Sequence, residues 1–494
     1  MNAAALLLPF VVALPPGASA PPPGALPAAA RVTTLDRELG LALVRLPKAG
    51  VAPALRRLRA APGVRYVERD APVALAAGGC ELVGRDTQVS HPGWRGVIHL
   101  SQRSAAGIVI GIADSGIDDD RLAPREAPTL HLSAGGKELP HDPIGHGTAV
   151  ASMLVANRPD VGVVGMVPDA TLLSARIIQS ASLCGQTVLE HGLVNAFGWL
   201  RRQRAAIVSV SATARQSRAL VESLRALQLS GALVVAAVGN TGTTPSVRFP
   251  ASQPGVLGVG ELAGGSSTQV ARESTRGSLV DLVAPAQGIK VIASSARGVS
   301  ITAETAITPT GTSFAAPIVT AAAAMLWASH RDWTATEIES ALVRSATPLR
   351  GGTAPSVTWG YGVLNVSRSL RTRLLPDSHE PNDWVAAALS QRPLRPGSVV
   401  VASLGWAGDR IDLYAVDVPA GGTARALLRR GGRGISMRVL PTDASEAKLA
   451  AAVAARRPRS APVTLHAGRS LLVVTRARGR GPYTLALSGA SGGG

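Results

Sequence analysis

Through the middle of the chain, near-continuous apolar runs alternate with amphipathic stretches. "GIVIGIAD" (107–114), "TLLSARII" (171–178), "AAIVSVSA" (205–212), "ALVVAAVGN" (232–240) and "GVLGVGEL" (255–262) have strand length and lack the polar alternation of a half-solvated strand. Strands buried on both faces have this character and belong in a parallel sheet covered by helices. "HGTAVASMLVA", "TVLEHGLVNAFGWLRRQ" and "SRALVESLRALQLSG" read as the intervening helices, and "FAAPIVTAAAAMLWASH" and "ATEIESALVRSA" as helices that follow the sheet. The pattern predicts an α/β fold, an open and mostly parallel sheet with helices on both faces. Such sheets bind ligands beyond the carboxyl ends of their strands.

The flanks differ. Residues 3–14, "AAALLLPFVVAL", with "PPGASA" behind them, read as a signal peptide over 1–20, although no Lys or Arg precedes the apolar run. After a Pro/Ala-rich linker, residues 35–77 predict a strand ("LGLALVRLP"), a helix closed by Gly63 ("VAPALRRLRAAPG") and a second strand ("VRYVERDAPV"). Alternation in "RIDLYAVDV" and "RSLLVVTRAR" predicts strands in the tail, 377–491. The division is therefore 1–20, 21–77, 80–372 and 377–491.

Composition fits this picture: 494 residues, 46% hydrophobic, make a multi-domain globular protein and exclude a disordered one. The net charge of +18 would suit a nucleic-acid binder. Yet "LRRLR", "WLRRQR" and "TRARGRG" are scattered and carry no interleaved aromatics, so nucleic acid is excluded as a partner. An exported, extracellular protein is expected, where Cys80 and Cys184 are the two residues available for a disulfide.

Chemistry-bearing residues cluster at strand ends. Asp114 ends one apolar run, at "IADSGID", and Asn240 ends another, at "AAVGN". His146 sits between Gly145 and Gly147 ahead of a helix, and Ser313 lies in "TPTGTSFAAP" (309–318), where a turn enters a helix. Each has a plain reading alone: an Asx turn, a packed histidine, a helix N-cap. Together they form the set that acyl transfer needs. A serine hydroxyl attacks only when an imidazole takes its proton, a carboxylate holds that imidazole, and an amide with a helix-start N–H receives the oxyanion.

At these residues the sequence resembles the subtilisin-like serine peptidases, the subtilase family. "IADSGID", "GHGTAVA" and "GTSFAAP" are similar to its aspartate, histidine and serine motifs, in the order Asp114, His146, Ser313. "GVVGMVPDATLLSARI", "FPASQPGVLGVG", "DLVAP" and "WGYGVLNV" extend the likeness over about 95–370. The resemblance implies a secreted serine endopeptidase with Ser313 as nucleophile, His146 as general base and acid, and Asp114 orienting His146. It implies an oxyanion hole from Asn240 and the Ser313 backbone N–H. It implies an extended peptide substrate added as a strand beside Ser211, Ala212 and Thr213 on one edge and Gly185, within 183–186, on the other. "SVSATA" lacks the glycine usual after that serine, so Ala212 and Thr213 are expected to narrow the cleft, and Cys184 would lie near it. No cofactor is required. Calcium is a possible structural ion in the loop 156–163, where Asp160 offers a carboxylate and Pro159 stands in place of an asparagine ligand.

Residues 35–77 resemble the second half of a subtilase inhibitory propeptide, the first half being shortened to "PPPGALPAAARVTT", with self-cleavage expected between Ala74 and Gly79. The tail resembles the β-sandwich pre-peptidase C-terminal domains. Its Asp383, Asp409 and Asp412 suit turns or calcium, and its 16 Lys/Arg against 8 Asp/Glu suit contact with acidic cell-surface polymers. Two other readings compete. A catalytically silent binding protein on the same scaffold would keep the triad behind a blocked cleft. An esterase would need a G-x-S-x-G elbow and the order Ser, acid, His, and Ser313 has neither.

Overall fold

The computed structural model describes residues 7–75, 94–100, 103–118, 145–177, 188–242, 247–264, 266–277, 279–292, 310–349, 356–372, 388–389, 391–404, 411–430, 435–443, 462–476 and 481–489, with short pieces at 122, 130–132, 142 and 306–307. The N-terminal unit holds β1 (Leu7–Ala13), β2 (Arg31–Asp36), β3 (Leu41–Pro47), α1 (Val51–Ala60) and β4 (Tyr66–Arg69). Its four strands form an antiparallel sheet in the order β2-β3-β1-β4.

The apolar run read as an export signal forms β1, an interior strand paired from Leu7↔Pro47 through Ala13↔Leu41. Its two faces enter different cores. Phe10 and Val12 join Ala54 and Leu58 of α1, while Val11 and Ala13 join Leu41 and Leu43 in a core shared with the central domain. With both faces covered no polar alternation survives, and a buried strand then has the same pattern as an export segment.

The chain continues through β5 (Pro72–Leu75) into the central domain: β6 (Val109–Asp114), β7 (Leu130–Leu132), α2 (His146–Val155), β8 (Thr171–Arg176), β9 (Val188–Leu189), α3 (Glu190–Arg202), β10 (Ile207–Val210), β11 (Ala212–Ala214), α4 (Arg218–Leu229), β12 (Leu233–Ala237), β13 (Val256–Leu262), β14 (Leu282–Pro285), α5 (Thr312–Ser329) and α6 (Ala335–Ser345). A seven-stranded parallel sheet runs β14-β13-β12-β10-β6-β8-β7, as the sequence pattern implies. Alternate residues of β6 feed opposite cores, Ile110 and Ile112 on the side of α2 and α5, Ala113 on the side of α3 and α4. Chain order reverses between β6 and β10, which opens a crevice at their carboxyl ends.

The tail folds as β15 (Val399–Leu404), β16 (Ile411–Arg430), β17 (Ile435–Pro441), β18 (Val463–Arg476) and β19 (Gly481–Gly489), antiparallel in the order β15-β19-β16-β18-β17. Along β16, Tyr414, Val416 and Val418 face one apolar cluster and Leu413 and Ala415 another. β16 pairs with β18 on both sides of a register shift between Val418 and Thr423, and with β19 from Ala424 to Arg430, in keeping with the expected β-sandwich. Asp412 is buried here, and Asp383 and Asp409 lie outside the described residues.

Candidate active site

Asp114, the last residue of β6, reaches the crevice with its carboxylate fixed by the Ser115 N–H at 2.6 Å. The same Oδ1 lies 2.7 Å from His146 Nδ1, and both residues are 1% exposed. His146 opens α2, entered through Gly145 at φ 85°. Gly147 follows because a Cβ there would meet the Gly116 carbonyl oxygen at 2.0 Å. Burial works against charging His146, but the adjoining Asp114 carboxylate, with Asp142 farther off, outweighs it, and the imidazole is held above its ordinary pKa.

Ser313 is the second residue of α5 and is fully buried. Its neighbour Phe314 packs against the His146 ring, centroids 5.5 Å apart. The hydroxyl lies 3.5 Å from the Ser211 carbonyl oxygen, and His146 Nε2 makes no hydrogen bond in this arrangement. Pro317 falls at the sixth helical position, so it cannot donate to the Ser313 carbonyl. Ser211 Oγ donates to that carbonyl instead, at 2.9 Å. Asn240 lies beyond β12, and its carboxamide oxygen accepts from Thr312 N–H and Thr312 Oγ1, both at 3.0 Å. The amide is therefore turned with its –NH₂ away from Thr312.

Asp142 was not singled out by the sequence, yet it organises this entrance. One oxygen accepts from Ser115 Oγ and Gly145 N–H, the other from Thr148 N–H and Thr148 Oγ1, at 2.6–2.8 Å. Its signal was an acid four residues before the glycine-flanked histidine.

The crevice edge formed by β11 is already paired. β5 lies between β9 and β11, with Ala212↔Leu75, Thr213↔Ala74 and Ala214↔Val73 on one side and Val188↔Val73 on the other. Ala212 and Thr213 thus admit a full strand, and the narrowing expected of them does not prevent pairing. Val73 is 3% exposed. The preceding residues dock on the two helix starts. Asp70 meets His191 N–H and Nδ1, and Glu68 accepts from the first N–H groups of α4 at Arg218 and Ala219. Glu190, at the start of α3, is fully buried, donates its N–H to the Ala71 carbonyl and accepts from Ser217 Oγ. Burial, with Asp70 and Glu68 nearby, pushes its carboxyl up to about 7 despite the Ser217 hydrogen bond. Gly185, the rest of 183–186, Cys80, Cys184 and the cleavage window beyond Leu75 lie outside the described residues.

The loop 156–163 does not fit calcium. Arg158 holds Asp160 in a two-pronged ion pair, and Lys290 Nζ donates to the Val161 carbonyl at 2.7 Å, placing an ammonium where a dication would need that oxygen. Among the described residues no group of three or more His, Cys, Asp or Glu could hold a metal.

The chain has known relatives. A model of the Subtilase family matches residues 105–362, which is 258 of the 494 residues. Subtilisin E of Bacillus subtilis is 28% identical over 324 residues, covering 63% of this chain and 77% of its own. Subtilisin of Bacillus pumilus is 28% identical over 279 residues, covering 54% and 93%. Among solved structures, fervidolysin from Fervidobacterium pennivorans, a keratinolytic enzyme related to subtilisin, shares the fold with a TM-score of 0.62 at 17% identity, over 95% of this chain and 85% of that one. Triad-like geometry at the switch point of the sheet, a family model over half the chain and kinship with the subtilisins agree: the chain belongs to the subtilase family of serine peptidases.

Proposed function

We propose that this protein is a secreted serine endopeptidase, made as a self-processed precursor, that cleaves peptide bonds through an acyl-enzyme at Ser313. The observation that carries this reading is the buried Asp114–His146 pair beside Ser313, at a crevice edge that already holds an extended strand of the same chain. His146 takes the Ser313 proton after the hydroxyl turns from Ser211 toward Nε2, a tightening that substrate-free sites often await. Asp114 fixes the tautomer and supports the imidazolium, and His146 then protonates the leaving amine. The Asn240 amide and the Ser313 backbone N–H receive the oxyanion, a contribution of about 3–4 kcal/mol per donor in such sites.

β5 occupies the place of substrate, which supports the N-terminal unit acting as the protein's own inhibitor until cleavage between Ala74 and Gly79. Secretion is supported by the family kinship and by the apolar run of residues 3–14. No calcium is needed at 156–163, where Lys290 supplies the positive charge. The basic tail is a candidate for holding acidic surface polymers.

The test is mass spectrometry of the purified chain and its Ser313→Ala variant after a fluorophosphonate probe. An adduct on Ser313, together with loss of the N-terminal unit, in wild type alone is the expected result. An intact, unlabelled wild-type precursor would leave the silent-scaffold reading in its place.

A further inference from the structure

A buried carboxylate stands directly behind the nucleophile's loop. Glu261 lies in β13, one of the strands interior to the parallel sheet, and is fully buried. An ionisable group there is costly unless its oxygens have partners. Its Oε1 accepts the Gly311 N–H at 3.0 Å, and its own N–H donates to Ser274 Oγ at 3.1 Å. Gly311 is the residue from which α5 starts, two positions before Ser313. It has φ 124° and ψ 153°, a conformation reserved for glycine, and no side chain caps the helix from that position. The loop is then tied at its next residue, where Thr312 donates twice to Asn240 and its Oγ1 accepts the Gly239 N–H at 3.2 Å. Glu261, Gly311, Thr312 and Asn240 therefore form one continuous set of hydrogen bonds from the sheet interior to the oxyanion amide.

We propose that Glu261 is a positioning residue of the proposed peptidase site, whose carboxylate, by holding the Gly311 N–H, fixes Ser313 and the Asn240 amide in register and relaxes that hold when it takes up a proton. Burial pushes the group up to about 7 against the Gly311 hydrogen bond, with Glu273 adding to the rise. The groups around it are the Glu273 carboxylate, itself bonded by the Gln287 amide, the Gln287 side chain, which opposes the rise, and the Ser274 hydroxyl. A charged acceptor bonds an N–H more strongly than a neutral one, so protonation weakens the anchor without removing it.

The inference rests on the peptidase reading, and two measurements keep the two separable. The first compares full-length wild type, Glu261→Gln and Glu261→Ala on a peptide substrate, normalised per site by fluorophosphonate titration. Glu261→Ala should lose about tenfold or more in kcat with KM within about twofold, because a displaced nucleophile costs turnover rather than binding. Glu261→Gln keeps an acceptor oxygen and should stay within about threefold. Its kcat/KM should fall on the acid side as a single ionisation, whereas the wild-type fall should be steeper. The second measurement is hydrogen exchange of the segment 310–316, which needs no turnover. Corrected for intrinsic pH dependence, wild-type exchange should quicken as pH drops through about 7, and Glu261→Gln should not respond. Equal kcat in all three proteins, or identical pH responses in wild type and Glu261→Gln, overturns the proposal. A wild type unreactive to the probe refutes the peptidase reading, and the exchange data still decide on Glu261.

Discussion

Affinity of the N-terminal unit for the central domain should depend on pH through Glu190. In the docked state this carboxyl is fully buried beside Asp70 and Glu68 and is raised from 4.5 to about 7. Departure of β5 and its flanking residues would re-expose it and return it toward its ordinary value. The complex then binds a proton that the separated domain does not, at every pH between the two values. Association is favoured at low pH, weakens as pH rises through that window, and levels off above the docked-state value. A difference of about two and a half units corresponds to about 3–4 kcal/mol, or roughly three-hundredfold in affinity. The assay is the dissociation constant of the N-terminal unit from a mature chain carrying Ser313→Ala, so that neither partner is consumed, measured from pH 5 to 8. Glu190→Gln should flatten the curve, because it keeps the Ser217 bond and has no proton to exchange. A wild-type constant independent of pH, or a Glu190→Gln curve equal to wild type, refutes the reasoning.

Four further outcomes follow from contacts described above. The acid limb of kcat/KM should lie above pH 6.5, because Asp114 and Asp142 hold His146 above its ordinary value and the base must be neutral to act; a limb below that value contradicts the assignment. Ser211→Ala leaves the Ser313 carbonyl without its donor and should cost about 1–3 kcal/mol in denaturant unfolding. Pro317→Ala in the same chain should recover part of that loss by restoring a helical N–H, so additive losses in the double variant argue against it. Lys290→Met should lower the Tm by about 2 °C or less, as befits an exposed charged hydrogen bond, while a calcium chelator leaves the wild-type Tm unchanged. A marked fall with chelator that Asp160→Ala abolishes would mean that the loop 156–163 takes a metal after all.

The sheet, its helices and the positions of Asp114, His146, Asn240 and Ser313 were legible because each depends on local pattern: apolar runs of strand length, and polar residues or glycines at their ends. Three features were not. Residues 7–13 gave no sign of their pairing, because a strand covered on both faces has no period to show and only the contacts with β3 and β4 reveal it. Glu190 and Glu261 looked like ordinary acids, since "VLEHG" and "VGELA" carry no record of what packs around them. The bond from Ser211 to the Ser313 carbonyl spans 102 positions and answers a vacancy made by Pro317, a relation visible only when the helix start and strand edge are brought together.

The placement of Ser313 on α5 has a consequence for how this protein fails. From Thr312 to Leu326 every residue of that helix is buried, so the proposed nucleophile stands at the tip of a rod running through the centre of the domain. Helix ends ordinarily fray before the body melts, and sites built on them soften early. This end has nowhere to fray, because its first turn is enclosed by sheet, strand edge and the His146 ring. Inactivation and unfolding should then be a single event, with turnover and tertiary signal vanishing at the same denaturant concentration.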